Sequence, residues 1–428
     1  VYVQPRAPVE PARLVRSLVN ASLALGFSIT GCGFATAVDA SRLDSTLGLS
    51  VFDLAGAPTY VESDANDLLD LAEPVQLVAE TQLIRGKITS TDDVDVYDLG
   101  SVMAGDRVVV SVEADALDGA IALFDGSGAA LLVNDHRNVY LGRNGPFIDF
   151  VIRRPSESCL VALATTPGYM STGDYVLTAR YEASASIPAP RPDVVLLDFT
   201  AQRNVRIGTR PAVNVPEFDA ADILPQYEGN TQEMIDRVVA LVREDFAAYD
   251  VTILSTSEDT DSDSSATRIH FGAFDEALLG VAEGVDEYNA YRGQSAMVFT
   301  DTFAAFRPLD PTVSEMAQAL ANVASHEIGH LLGLVHTSNS DDLMDVTASL
   351  SELLLDQEFV RSPIYSAVFP LGAQDSVQFL LDAVGGDEDL ARAAGEVREK
   401  ITDRPPPKTA PLRSRRSCLL SSCGLHGH

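Results

Sequence analysis

The 428-residue chain carries 62 acidic against 30 basic residues, a formal net charge of −32, with 46% hydrophobic residues and four cysteines. So much negative charge repels phosphate backbones and excludes nucleic acid as a partner. Four cysteines are too few for a disulfide-framed mini-fold, while the length and apolar content suit two folded domains with tails.

Residues 1–31 combine Arg6, Arg13 and Arg16 with an apolar run over residues 18–29. A positive stretch ahead of a run too short to span a bilayer is the pattern of an export signal. It closes on Ile29-Thr30-Gly31-Cys32, which resembles the lipobox of bacterial lipoproteins. In that family the cysteine receives a diacylglycerol, so the resemblance implies lipidation at Cys32 and a membrane anchor. Ala35-Thr36-Ala37 offers the alternative of ordinary signal cleavage and a soluble secreted product. Both routes predict an extracytoplasmic protein. Residues 32–77 read as a tether, with a short helix near residues 67–72.

From 78 to 185 short alternating runs predict strands over residues 94–99, 107–113, 120–124, 130–133, 147–153, 159–164 and 174–181. Turn residues such as Ala104-Gly105-Asp106 and Asp125-Gly126-Ser127-Gly128 separate them. Regular short strands with such punctuation predict an all-β sandwich or jelly roll. The segment resembles the bacterial pre-peptidase C-terminal domain through Asp93-Val94-Asp95-Val96-Tyr97, Leu123-Phe124-Asp125 and Gly173-Asp174-Tyr175-Val176-Leu177. That family accompanies secreted peptidases, which implies a targeting or substrate-contact role. Asp93 and Asp95 are the candidates for calcium, against a solvated turn as the plainer role. Cys159 reads as a small buried apolar residue.

Residues 186–193 form a proline-rich spacer and a domain boundary. Beyond it, strands are predicted over residues 194–199, 251–254, 267–271 and 296–300, and helices over 231–247 and 313–334. That order predicts an α/β domain over residues 194–385 with one mixed sheet. Residues 386–428 read as a polar, flexible tail; its Cys418, Cys423, His426 and His428 could chelate a metal or close a local disulfide.

The chemistry concentrates in His326-Glu327-Ile328-Gly329-His330-Leu331-Leu332-Gly333-Leu334-Val335-His336. Two histidines four apart on a helix stand on one face a turn apart, so both can reach one Zn²⁺. Gly333, without a Cβ, can take the left-handed turn that ends the helix and delivers His336 as a third ligand. Three protein ligands leave one position for water, the mark of a catalytic zinc site. Glu327 is placed to take a proton from that water and pass it to a leaving amine.

This stretch matches the metzincin pattern H-E-x-x-H-x-x-G-x-x-H at every specified position. Five fixed positions arise by chance in a chain of this length with a probability on the order of 10⁻⁵. Met344 follows His336 where metzincins place a Met-turn beneath the ligands, and its spacing, with Thr337, resembles the matrixin branch. The branch assignment is loose, because Asp345-Val346 replaces the Tyr-Pro expected there. Val346 also excludes the tyrosine ligand of astacins and serralysins. The resemblance implies a zinc endopeptidase acting on protein or peptide substrates. Leu278-Leu279-Gly280-Val281-Ala282 resembles the edge strand along which that clan lays its substrate. His136 and His270 read as ordinary surface or core histidines. An adhesion or matrix-binding protein on a spent protease fold is the alternative from another class, which intact Glu327 disfavours; an exopeptidase or peptide amidase is a third.

Overall fold

The computed structural model describes residues 58–392, apart from 64–65, 76–80, 136–144 and 259–264. The expected export signal, Cys32, the Ala35–Ala37 cleavage site, His136 and the tail cysteines and histidines lie outside the described residues.

The N-terminal part forms two five-stranded sheets. Its strands are β1 (Thr59–Val61), β2 (Glu73–Pro74), β3 (Thr81–Ile88), β4 (Val94–Asp98), β5 (Arg107–Ala114), β6 (Gly119–Asp125), β7 (Ala130–Asn134), β8 (Phe147–Val151), β9 (Cys159–Thr165) and β10 (Gly173–Glu182). One sheet runs β1-β3-β10-β5-β8 and the other β2-β4-β9-β6-β7. β1 and β2 come from the stretch read as a tether, as does a single 3₁₀ turn at Leu69–Leu71. Both are too short to carry a period-two signal, and each is held parallel to the strand it borders.

Alternation places Val108, Val110 and Val112 of β5 against Ile121 and Leu123 of β6 in the space between the sheets. Strands β6 and β9 depart from alternation: nearly every residue of both is buried. Their second face, including Ala120, Ala122, Phe124, Leu160 and Ala162, packs against Ile364, Val368 and Phe369 from the C-terminal part. The two parts therefore share a core, and unbroken apolar runs are what a strand covered on both faces requires.

The C-terminal part holds a sheet of β11 (Asp193–Asp198), β14 (Val251–Ser255), β15 (Thr267–Phe271), β16 (Gly280–Ala282) and β17 (Ser295–Val298), in the order β14-β11-β15-β17-β16. All are parallel except the edge strand β16, which runs antiparallel to β17. The sheet is thus mixed, as expected. A hairpin of β12 (Gln202–Val205) and β13 (Val213–Val215) packs Ile207 and Val215 against Leu278, Val281 and Met297 on one face.

On the opposite face lie α1 (Thr231–Asp245) and α2 (Val313–Leu331). A capping box starts α2: Glu315 N–H donates to the Thr312 hydroxyl, and Thr312 N–H donates to the Glu315 carboxylate. From Ala319 onward α2 is buried all round. Two of its polar residues are satisfied there, Asn322 donating to the Leu353 and Leu355 carbonyls and Ser325 to Asp245 on α1. A hairpin of β18 (Arg361–Pro363) and β19 (Ala373–Asp375) precedes the helix α3 (Ser376–Ala383). No helix among the described residues is long and apolar enough to cross a membrane.

Candidate metal centre

The helix α2 stops at Leu331, and Gly333 turns the chain with φ +111°. A Cβ there would stand 2.5 Å from the Asp286 carbonyl and 2.8 Å from Phe379, so neither the backbone angle nor the space admits another residue. The reversed chain brings His336 back over the helix. The Nε2 atom of His330 lies 3.1 Å from that of His326 and 3.0 Å from that of His336. Among the described residues these three are the one group of three or more His, Cys, Asp and Glu close enough to share an ion.

The other ring nitrogens settle how the rings face. His326 Nδ1 is 2.7 Å from the Leu343 carbonyl and His330 Nδ1 is 2.8 Å from the Leu334 carbonyl. A carbonyl can only accept, so both Nδ1 atoms carry the hydrogen and both Nε2 atoms present lone pairs. Burial pushes His326 down to about 4 and His336 to about 3, and holds His330 well below its ordinary value. The Nε2 lone pairs of His326 and His330, aimed at each other from 3.1 Å, repel, and a shared cation removes that repulsion. For bonds of about 2.0–2.1 Å, tetrahedral ligands stand about 3.3 Å apart, close to the spacing found. The donor set fits zinc.

Glu327 is fully buried beside the triad. Neither carboxylate oxygen has a hydrogen-bond partner of normal geometry, and the backbone of Ala282 on β16 eases its ionisation only in part. Burial therefore holds its pKa well above the usual carboxylate range. Across from it, a Cβ on Gly280 of β16 would collide with the carboxylate and come within 2.8 Å of Val323. The edge strand closes directly on the acid.

Met344 lies beneath the helix, its sulfur 2.5 Å from where a Cβ on Gly329 would be. The loop carrying it is tied to the third histidine: Thr337 N–H donates to the Met344 carbonyl at 2.9 Å, and the Thr337 hydroxyl donates to Asp342 at 2.8 Å. Its neighbour Leu343 supplies the carbonyl that orients His326.

Other residues singled out in the sequence stand elsewhere. Asp93 caps a turn by accepting from the Thr89 amide and hydroxyl, and Asp95 is buried, accepting from the Tyr175 hydroxyl at 2.6 Å. Burial pushes Asp95 up to about 8; neither aspartate belongs to a three-ligand cluster. His270 is buried on β15, 3.8 Å from Asp198 and apart from the triad. Cys159 is buried in the sandwich core. The carbonyls of Leu334 and Leu343, and the Gln374 side chain described below, were not legible as parts of the site: a backbone acceptor has no sequence signature, and Gln374 lies 38 residues from His336.

Residues 237–358 match the matrixin family model, a span running from within α1 through the loop that follows Met344. Among solved structures, the pre-peptidase C-terminal domain of collagenase from Bacillus anthracis is similar at 16% identity, covering 26% of this chain and 94% of that one, with a TM-score of 0.21. Archaemetzincin from Methanopyrus kandleri is similar at 15% identity, covering 39% and 87%, with a TM-score of 0.22. The periplasmic lysozyme inhibitor PliG from Aeromonas hydrophila is similar at 14% identity, covering 30% and 100%, with a TM-score of 0.21. No curated protein matches the chain.

Proposed function

We propose that this chain is a zinc-dependent endopeptidase acting on proteins or peptides, with His326, His330 and His336 as ligands and Glu327 as general base. The observation that carries this reading is the convergence of three buried imidazoles, with His330 Nε2 3.0–3.1 Å from the Nε2 atoms of the other two, beside a buried carboxylate. The match of residues 237–358 to the matrixin family model supports the same activity class.

The chemistry zinc supplies at such a site is a lowered pKa for bound water and polarisation of a carbonyl oxygen. The chain supplies the proton handling. Glu327 accepts the proton of the attacking water and returns it to the leaving amine, and a pKa raised by burial favours the return. Burial around the carboxylate excludes bulk water that would weaken this exchange. The sheet offers the substrate a place: β16 ends the strand order, and its outer edge can take an extended peptide as one more strand. An extracytoplasmic location, by lipid attachment at Cys32 or by secretion, completes the reading and rests on residues 1–37 alone.

The test is cleavage of an unfolded protein such as casein by the purified protein, beside Glu327→Ala, with zinc measured in both. Cleavage that a chelator stops, zinc restores and Glu327→Ala lacks is the expected result. Zinc bound by both proteins with no cleavage of casein or a broad peptide library would overturn the endopeptidase reading and favour a matrix-binding protein on a spent fold.

A further inference from the structure

The third histidine is held differently from the other two. The rings of His326 and His330 are each oriented by a backbone carbonyl at Nδ1. His336 lies outside the helix, and its side chain makes its hydrogen-bond-range contact with His330 rather than with a carbonyl. Its position is therefore set through its backbone.

That backbone is gripped on both sides. The Val335 N–H donates to Gln374 Oε1 at 2.7 Å, and Gln374 Nε2 donates to the Val335 carbonyl at 3.0 Å. One buried amide thus closes on both peptide groups of the residue before the ligand. On the other side Tyr365 N–H donates to the His336 carbonyl at 2.9 Å. Gln374 and Tyr365 both belong to the β18–β19 hairpin region, and that hairpin leans on the sandwich. Ala373 N–H donates to the Gly128 carbonyl at 3.0 Å, and Arg361 donates to the Ser127 hydroxyl and carbonyl at 3.0 and 2.6 Å. The turn receiving them is itself stiff, since Asp125 accepts from the Ser127 and Ala129 amides. Phe124 of β6 then packs on Phe369, ring centroids 6.0 Å apart, and on Gly372, where a Cβ would overlap its ring.

We infer that Gln374, braced by the sandwich turn 125–129, is the positioning residue for the third metal ligand. The β-sandwich is accordingly a working part of the metal centre rather than a detachable module. This rests on the zinc reading above. Orienting partners outside the ligand set characteristically cost 10–100-fold in metal affinity when removed.

The experiment uses the full chain and measures zinc affinity by competition with a chromogenic chelator, together with the visible spectrum of the cobalt-substituted protein. Gln374→Met keeps the length of the side chain and removes both hydrogen bonds to Val335, together with the one Gln374 donates to the Ser376 hydroxyl at 3.2 Å. It is expected to weaken zinc binding about tenfold or more and to alter the cobalt bands. Gln374→Glu keeps the acceptor for Val335 N–H and loses the donor, and is expected to fall between. Arg361→Ala, at an exposed position on the far side of the hairpin, is expected to shift affinity in the same direction by less. A role confined to packing would lower thermal stability and leave zinc affinity and the cobalt spectrum unchanged; that result in Gln374→Met overturns the inference. Should Gln374→Met fail to fold, wild-type affinity in both Gln374→Glu and Arg361→Ala overturns it instead. A wild-type chain that binds no zinc overturns this inference and the endopeptidase reading together, whereas zinc binding without the Gln374 dependence overturns this one alone.

Discussion

Gly280 lies so close to the Glu327 carboxylate that no Cβ fits between them. The edge strand and the proposed base are therefore one packing unit, and the strand's register fixes where the carboxylate points. Gly280→Ala must push either Glu327 or β16 aside. A displacement of the order of 1 Å at a reacting group can cost about 100-fold in rate. The expected outcome is a fall in kcat/KM of about that size with zinc stoichiometry unchanged, since the three ligands sit on other residues. Steady-state kinetics beside elemental analysis checks it; full activity in Gly280→Ala would show that the contact is not restrictive.

The facing lone pairs of His326 and His330 make a prediction for metal removal. Stripping the ion restores the repulsion, so chelator-treated protein should melt lower than the loaded form. Zinc at about 100 times its Kd stabilises by about 2.7 kcal/mol. The pH dependence of the stripped protein follows from the depressed histidines. In the unfolded chain they protonate near 6.5, but in the fold His326 does so only at about 4 and His336 at about 3. Between those values the unfolded state binds more protons, so stability is lost as pH falls from about 6.5 toward 4. Melting curves of stripped protein across that window should show the loss, and a flat profile would contradict it.

Asp245 carries the opposite sign. Burial against α2 pushes it up to about 8, where it accepts from the Ser325 hydroxyl at 2.5 Å. In the unfolded chain it loses its proton near 4. Between about pH 4 and 8 the folded state holds the extra proton, so this group's contribution to stability falls as pH rises. Asn presents the same acceptor without the charge. Asp245→Asn is expected to be near neutral at pH 4.5 and to stabilise by on the order of 3–5 kcal/mol at pH 8.5. Denaturant titrations of both proteins at the two pH values measure it; equal stabilities at pH 8.5 would mean the carboxylate is ionised and solvated there.

Much of the site was legible because its chemistry is local. The spacing of His326 and His330 is one helical turn, Gly333 marks the reversal, and Met344 follows at short range, so a single stretch of sequence holds them all. The acid's confinement by Gly280 and the grip of Gln374 on Val335 were not legible, since both depend on contacts across 39–47 residues of chain. The fold divides the same way. Long alternating strands such as Arg107–Ala114 announced themselves. By contrast, β2 spans two residues, a length at which neither period can be read, and the three-residue edge strand β16 was reached through the family resemblance of residues 278–282 rather than through periodicity. Thr81–Ile88 was missed because Gly86 interrupts its apolar pattern; a Cβ there would meet the Glu62 carboxylate and the Tyr175 hydroxyl.

The sequence did hold one signal of the union between the two parts, in the unbroken apolar runs Ala120–Phe124 and Leu160–Ala164. A sandwich strand with one face in solvent alternates; a strand covered on both faces does not. Phe124 is the largest side chain on the shared face, fully buried against Phe369 and Gly372. Phe124→Ala should cost about 3–5 kcal/mol, as for other buried phenylalanines. Because that core spans both parts, the loss should not fall on the sandwich alone. Calorimetry of the wild type is expected to show one cooperative transition, and the variant a single transition at lower temperature. If only an early transition moved in Phe124→Ala while a second stayed fixed, the two parts would be folding separately, and the shared core would contribute little to the metal-binding half.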